Sequence, residues 1–294
     1  MAGEVQERGR PPAGGHRGVR GGGQPPRAGG HRGVAPRGLT LSVHAFRCWL
    51  TVYRRIWRSS IWSSVFGPLF YLGALGFGLG SLVNRHGTAS LGGVSYLAFV
   101  APAILATGAM TAAMGEASYP VFGSVKWNKI YVAAQATPLR PGDIYRGHLL
   151  FMTIRITMNT ALITVYMWGF GATRSAWVAL AWPAATLTGL AFAAPIAAWA
   201  VTLKTESTFA YLFRFVMMPL MLFSGTFFPV SQLPGWLRPV AYATPLWHGT
   251  DLCRMLSLGD VDLPRALIHV AYLTALSALG IWAGARTYRR RLYV

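Results

Sequence analysis

Polar positions cut this chain into long apolar runs. The runs cover residues 61–83, 94–114, 149–170, 176–201, 209–228 and 264–285. As helices, each is long enough to cross a hydrocarbon layer of about 30 Å. The pattern predicts an all-α polytopic membrane protein with six transmembrane helices. In the first run Gly73, Gly76 and Gly80 offer small-residue contact points for a neighbouring helix.

Three stretches between the runs carry their own pattern. In 39–60, Leu41, Phe46, Trp49, Leu50, Tyr53 and Trp57 alternate with Arg47, Arg54, Arg55 and Arg58. Helical spacing separates the aromatics from the arginines, which predicts an interfacial helix with its cations among lipid headgroups. The loop 115–148 is too long to be a plain connector. Lys126, Trp127, Ile130 and Tyr131 suggest a short amphipathic helix there. Ala136 to Pro141 is a turn, because each proline disfavours helix in the residue before it. Asp143 then starts the helix entering the third span, its carboxylate placed to cap free N–H groups. The segment 229–263 is too apolar for a solvated loop and too broken by proline for a span. It is expected to be a re-entrant outer segment of two short helices between spans five and six. Non-helical backbone at membrane depth must be buried in protein or line a cavity. Trp236, Tyr242 and Trp247 suit an interfacial belt.

Composition sharpens this reading. The 294 residues are 53% hydrophobic and 12% charged, about half the charge of a soluble domain. The formal net charge is nevertheless +19. With a cytoplasmic N-terminus, 20 of the 27 Lys and Arg fall in inner segments, 4 in outer segments and 3 within spans. That is the positive-inside pattern. It predicts a multi-pass protein of the plasma (inner) membrane with both termini cytoplasmic, and it makes a nucleic-acid partner unnecessary. Residues 1–38 stand apart as a Gly/Arg-rich tail holding the repeat AGGHRGV at 13–19 and 28–34. They bury too little to offset ordering entropy and are expected to be disordered. The permease domain is then 39–294.

Little catalytic chemistry is visible. The lysines are Lys126, Lys129 and Lys204, and none sits in a phosphate-binding glycine loop. The chain is not expected to bind ATP, another cofactor or a metal. Cys48 and Cys253 cannot form a disulfide framework. Asp251, Asp260 and Asp262 read as loop acids with no paired base. Glu116 and Glu206 fall at cytoplasmic boundaries, and Arg155 reads as snorkelling to the inner interface. An autonomous ion-coupled secondary transporter is the alternative to a partnered permease, but such carriers place acids near mid-span.

Small residues Ser224 and Gly225 precede Leu233–Pro234. Pro245, Leu246 and His248 follow, with Arg254 six residues further on. With the turn Ala136–Thr137–Pro138–Leu139, this arrangement resembles the permease subunit of type-2 ABC exporters. It is nearest to the nodulation-factor (lipo-oligosaccharide) and drug-exporter branch, over about residues 40–294. Where that family often has a glutamate-rich run before the turn, this chain has Gly123, Lys126 and Asn128. The resemblance implies an exporter of an amphipathic substrate such as a lipid-linked glycan, lipid or drug. It also implies two copies of an ABC ATPase subunit that carry the ATP, and a second permease copy or a sister permease. Lys126, Trp127, Ile130, Tyr131, Pro138 and Arg140 would couple to the ATPase. Leu233, Pro234, Pro245, His248 and Arg254 would be the motif of the re-entrant segment.

Overall fold

The computed structural model describes residues 46–47, 49–51, 66–85, 87, 91, 93–137 and 139–292. The tail, most of the expected interfacial helix and Pro138 lie outside the described residues. The few described residues around Trp49 are helical.

Among the described residues there is no strand. Helix α1 runs Phe66–Arg85. Then come α2 Tyr96–Ala117, α3 Tyr119–Lys126, α4 Ile130–Gln135, α5 Pro141–Gly169 and α6 Val178–Ala200. Helix α7 runs Thr208–Phe223, followed by α8 Arg238–Tyr242, α9 Pro245–Leu258 and α10 Leu263–Leu292. Among the described residues, five helical stretches are long and apolar enough to cross a membrane: α1, α2 continued through α3, α5, α6 and α10. The chain is a multi-pass membrane protein.

The stretch expected as a fifth span is shorter than its apolar run. Helix α7 stops at Phe223. Ser224 leaves helical geometry and Gly225 takes φ +76°, a left-handed backbone that favours glycine and ends helices. Both α1 and α7 contain a wide π-turn, at Ala74–Leu79 and Phe213–Met217.

Helix α2 is apolar on every side and mostly buried, which marks it as a central helix. It packs on α5, α6 and α9, and α6 packs in turn on α10. Close approach depends on small residues. A Cβ on Gly189 would stand 2.6 Å from Ile156 Cγ2 and 3.1 Å from the Ala109 carbonyl. One on Gly280 would stand 2.6 Å from Pro195 Cδ. The bundle therefore has two ends. One gathers α3, α4, the start of α5 and the finish of α10; the other gathers α8, α9 and the start of α10.

Candidate functional site

The first end is built from the 115–148 loop. The single amphipathic helix expected across Lys126–Tyr131 is absent. Trp127 to Lys129 interrupt it, with Lys129 at φ 50°. The break turns the two halves different ways. Lys126, Trp127, Lys129 and Arg140 are exposed and Ile130 is half-buried, while Tyr131 is completely buried. Tyr131 therefore offers no surface to a partner, which corrects its expected place beside Trp127. Its hydroxyl meets His148 Nδ1 and lies 3.2 Å from the Tyr288 hydroxyl. Burial raises the Tyr131 phenol above its ordinary pKa, so it remains a neutral O–H donor. Helix α5 starts at Pro141 with Arg140 as its N-cap; Asp143 sits one turn in and accepts from the Arg140 N–H at 3.3 Å.

The second end holds an ionic chain that sequence reading missed. Asp251 lies in α9, not in a loop, and it has a base. His269 Nε2 donates to Asp251 Oδ2 at 2.9 Å, and Arg265 reaches the same oxygen at 2.9 Å. The other ring nitrogen of His269, Nδ1, makes a hydrogen bond with Nδ1 of His248, 2.7 Å away. Tyr272 stacks on the His248 ring at 4.0 Å. Burial, then the neighbouring His269, lowers the His248 pKa to about 4 against the pull of Asp251. Burial alone would raise the Asp251 carboxyl, but the His269 hydrogen bond and Arg265 outweigh it and hold the group below its usual range. Arg254 donates from Nε to the Phe99 carbonyl at 3.2 Å and from a terminal nitrogen to the Gly225 carbonyl at 2.8 Å. Its guanidinium lies 3.9 Å from the Phe99 ring centroid. It thus satisfies backbone where α7 has ended. Burial lowers its pKa to about 10, so it is charged at neutral pH. Leu233 is buried, and its carbonyl accepts from Arg238 Nε at 2.9 Å. Pro234 is exposed and opens the turn whose carbonyl takes the Leu237 N–H. Pro245 is the first residue of α9, where a missing N–H costs nothing.

Between the two ends lies a groove of about 650 Å³ bounded by α1, α2, α5 and α7. Its lining is graded. Glu116 and Arg155 stand at the foot end, Thr111 and Asn159 follow, and Ile104, Leu162 and Ile163 complete the apolar part. Arg155 donates to Glu116 Oε1 from Nε at 3.0 Å and from a terminal nitrogen at 2.7 Å. The two residues are 39 apart in sequence, and each side chain is 19% exposed. Arg155 is therefore ion-paired beside a cleft, which corrects the expectation of simple snorkelling.

A family model described as ABC-2 type transporter matches residues 43–257. The chain belongs to the ABC-2 type transporter family. Members of this family are membrane permease components and not enzymes themselves. Nodulation protein J of Rhizobium leguminosarum bv. trifolii is 35% identical over 255 residues, covering 83% of this chain and 94% of the relative. Nodulation protein J of Rhizobium meliloti (strain 1021) is 33% identical over 253 residues, with 83% and 94% covered. That of Neorhizobium galegae is 28% identical over 257 residues, with 87% and 96% covered.

The ABC-2 match spans the foot, the groove and α9 but stops before α10. His269 and Tyr288, which complete the chains at the two ends, lie beyond it. The members of the ionic chain, though not their pairing, had a faint signal in the sequence. His248 and Asp251 are three apart on α9, and Arg265 and His269 are four apart on α10; each spacing puts two polar groups on one helical face.

Proposed function

We propose that this chain is the transmembrane permease subunit of an ATP-binding-cassette exporter. It moves an amphipathic molecule (a lipid-linked glycan, lipid or drug) out of the cytoplasm with ATP hydrolysed on a separate subunit. The ABC-2 match over 43–257 carries the reading, and an ABC ATPase partner follows from that family in general terms. In this reading α7 is the remaining span of a six-span layout, and 229–263 is re-entrant at the outer face. Both termini are cytoplasmic, as the charge map expects. Two ATPase copies dock on the exposed Lys126, Trp127 and Arg140 with Ile130 and Pro138. A second permease copy or a sister permease covers the open side of the groove, and lipid meets the exposed apolar faces. The groove suits an amphiphile, because it offers hydrogen-bonding groups at one end and aliphatic surface at the other.

The ion-coupled alternative requires an acid near the middle of a span. The described acids stand at helix ends, in loops or on α9.

Co-purification with an ABC ATPase subunit from the same cells is the first test, and ATP-dependent uptake of a fluorescent amphiphile into inverted vesicles is the second. Trp127→Asp or Ile130→Asp is expected to abolish ATP-driven uptake while membrane insertion persists. Uptake that continues after ATP depletion, with no ATPase retained, would overturn the reading.

A further inference from the structure

The foot helix α4 is mostly exposed, with Val132 49% accessible, yet Tyr131 beside it is 0% accessible. That contrast marks Tyr131 as the residue that holds the foot to the bundle. Three separate parts of the chain converge on it. His148, two turns into α5, meets its hydroxyl. Tyr288, near the finish of α10, lies 3.2 Å from the same oxygen. Trp49 meets its ring edge-on at 6.1 Å and stacks on His148 at 3.7 Å, with the planes 4° apart.

The cluster extends further. Tyr145 packs on Tyr288 at 4.7 Å, and its hydroxyl faces the Ala194 carbonyl of α6 at 3.4 Å and the Gly280 carbonyl of α10 at 3.3 Å. A Cβ at Gly284 would fall 2.2 Å from the Tyr145 ring, so α10 cannot slide past Tyr145 without repacking. His148 Nε2 is buried and, among the described residues, has no hydrogen-bond partner. Among the described residues, the Tyr131 hydroxyl is the hydrogen-bond partner that orients the His148 ring.

We infer that Tyr131 is a positioning residue: its hydroxyl joins the foot to His148 and Tyr288, so that a push on the foot moves the finish of α10 and the helix around Trp49 with it. The source of the push rests on the exporter reading above; the tether does not. Such a link must be short, buried and directional. A side-chain hydroxyl with two partners in a close-packed site meets each condition, because packed groups shift between discrete arrangements instead of deforming smoothly. The exposed residues of the foot then serve contact, and Tyr131 serves transmission.

Tyr131→Phe tests the tether, since it removes one oxygen and keeps the ring. Spin labels at Val132→Cys and Arg289→Cys, in a chain with Cys48 and Cys253 replaced by alanine, report the foot-to-α10 distance by pulsed electron resonance. In the chain alone, the native Tyr131 is expected to give one narrow distribution and Tyr131→Phe a distribution at least twice as wide. Tyr288→Phe, which leaves the His148 bond, is expected to fall between them. In the complex with its ATPase, Tyr131→Phe is expected to keep ATP hydrolysis within about twofold and to lower transport per ATP at least fivefold. An unchanged distribution in the chain alone overturns the tether. A wide distribution with normal transport per ATP overturns its role in transmission. Failure of any ATPase to associate overturns the exporter reading and leaves the label measurement to decide the tether.

Discussion

Helix α10 is anchored at both ends by a histidine-centred cluster, and the two are built differently. At the foot end Trp49, Tyr131, Tyr145, His148 and Tyr288 hold together by ring packing and hydroxyl hydrogen bonds, with no acid, lysine or arginine joining them among the described residues. At the other end His248 and His269 belong to a chain that includes Asp251 and Arg265, with Arg254 one turn away. The difference follows from the backbone each must support. At the foot end the cluster ties the short α4 to positions inside the long helices α5 and α10, where the backbone satisfies its own polar groups. The other end receives a chain that has left helix α7, and its bare carbonyls call for a multi-donor cation. The multi-donor cation Arg254 stands where α7 has ended; the aromatic cluster stands where α4, α5 and α10 meet.

The largest expected effect tests the ionic half. Arg254→Met removes donors from the Phe99 and Gly225 carbonyls and should lower stability by about 3 kcal/mol. Arg254→Lys, with no fork to span both carbonyls, should recover less than half of that. Thermal unfolding in detergent measures both, and full recovery by lysine would reduce the role of Arg254 to charge alone. Next, Gly280→Ala crowds Pro195 in the seam between the two ends and should cost about 2 kcal/mol. A loss confined to one cluster, read from hydrogen exchange at the two ends, would show that α10 does not join them rigidly.

Acid should separate the ends further. The folded His248 pKa, about 4, lies below its ordinary 6.5, so the unfolded chain binds the proton more tightly. The resulting stability is whole above pH 6.5 and is lost as pH falls toward 4. After solvent screening the loss is on the order of 1 kcal/mol. His248→Asn should flatten this part of the melting-temperature profile. An undiminished slope would place the titration elsewhere. The smallest stability effect is expected at the half-open ion pair of the groove. Glu116→Gln should cost about 0.5 kcal/mol while increasing retention of an alkyl phosphate over an alkyl maltoside in nanodiscs. A cost equal to that of Arg254→Met would break the rule that charge matters most beside broken backbone.

The apolar runs made most of the fold legible, because membrane thickness imposes a length that sequence shows directly. The early stop of α7 was less legible. Gly225 ends the helix although Phe227 and Phe228 prolong the apolar run. Site residues fared unevenly for a related reason. Lys126 and Trp127 are exposed as local pattern suggests, but Tyr131 is not, since a single left-handed residue at Lys129 reverses the face that helical counting assigns. The Glu116–Arg155 and Asp251–His269 pairs needed the packing of distant helices. Taken alone, Glu116 looked like a boundary charge, Arg155 like a snorkelling one and Asp251 like a loop acid. The polar positions were visible in the sequence, but their partners were not.

The π-turns in α1 and α7 bear on how this chain should be aligned with others. A π-turn takes up one more residue than an α-turn, and each helical residue advances about 100°. Side chains beyond Ala74–Leu79 therefore point about 100° away from where an uninterrupted helix would aim them. A one-residue gap at 74–79 or 213–217 in a pairwise alignment would record tightening of the helix with the span kept. Removing one residue from such a turn would let it tighten to α-geometry and leave every later side chain of that helix aimed as before, whereas a deletion elsewhere in the helix would re-aim them all by about 100°.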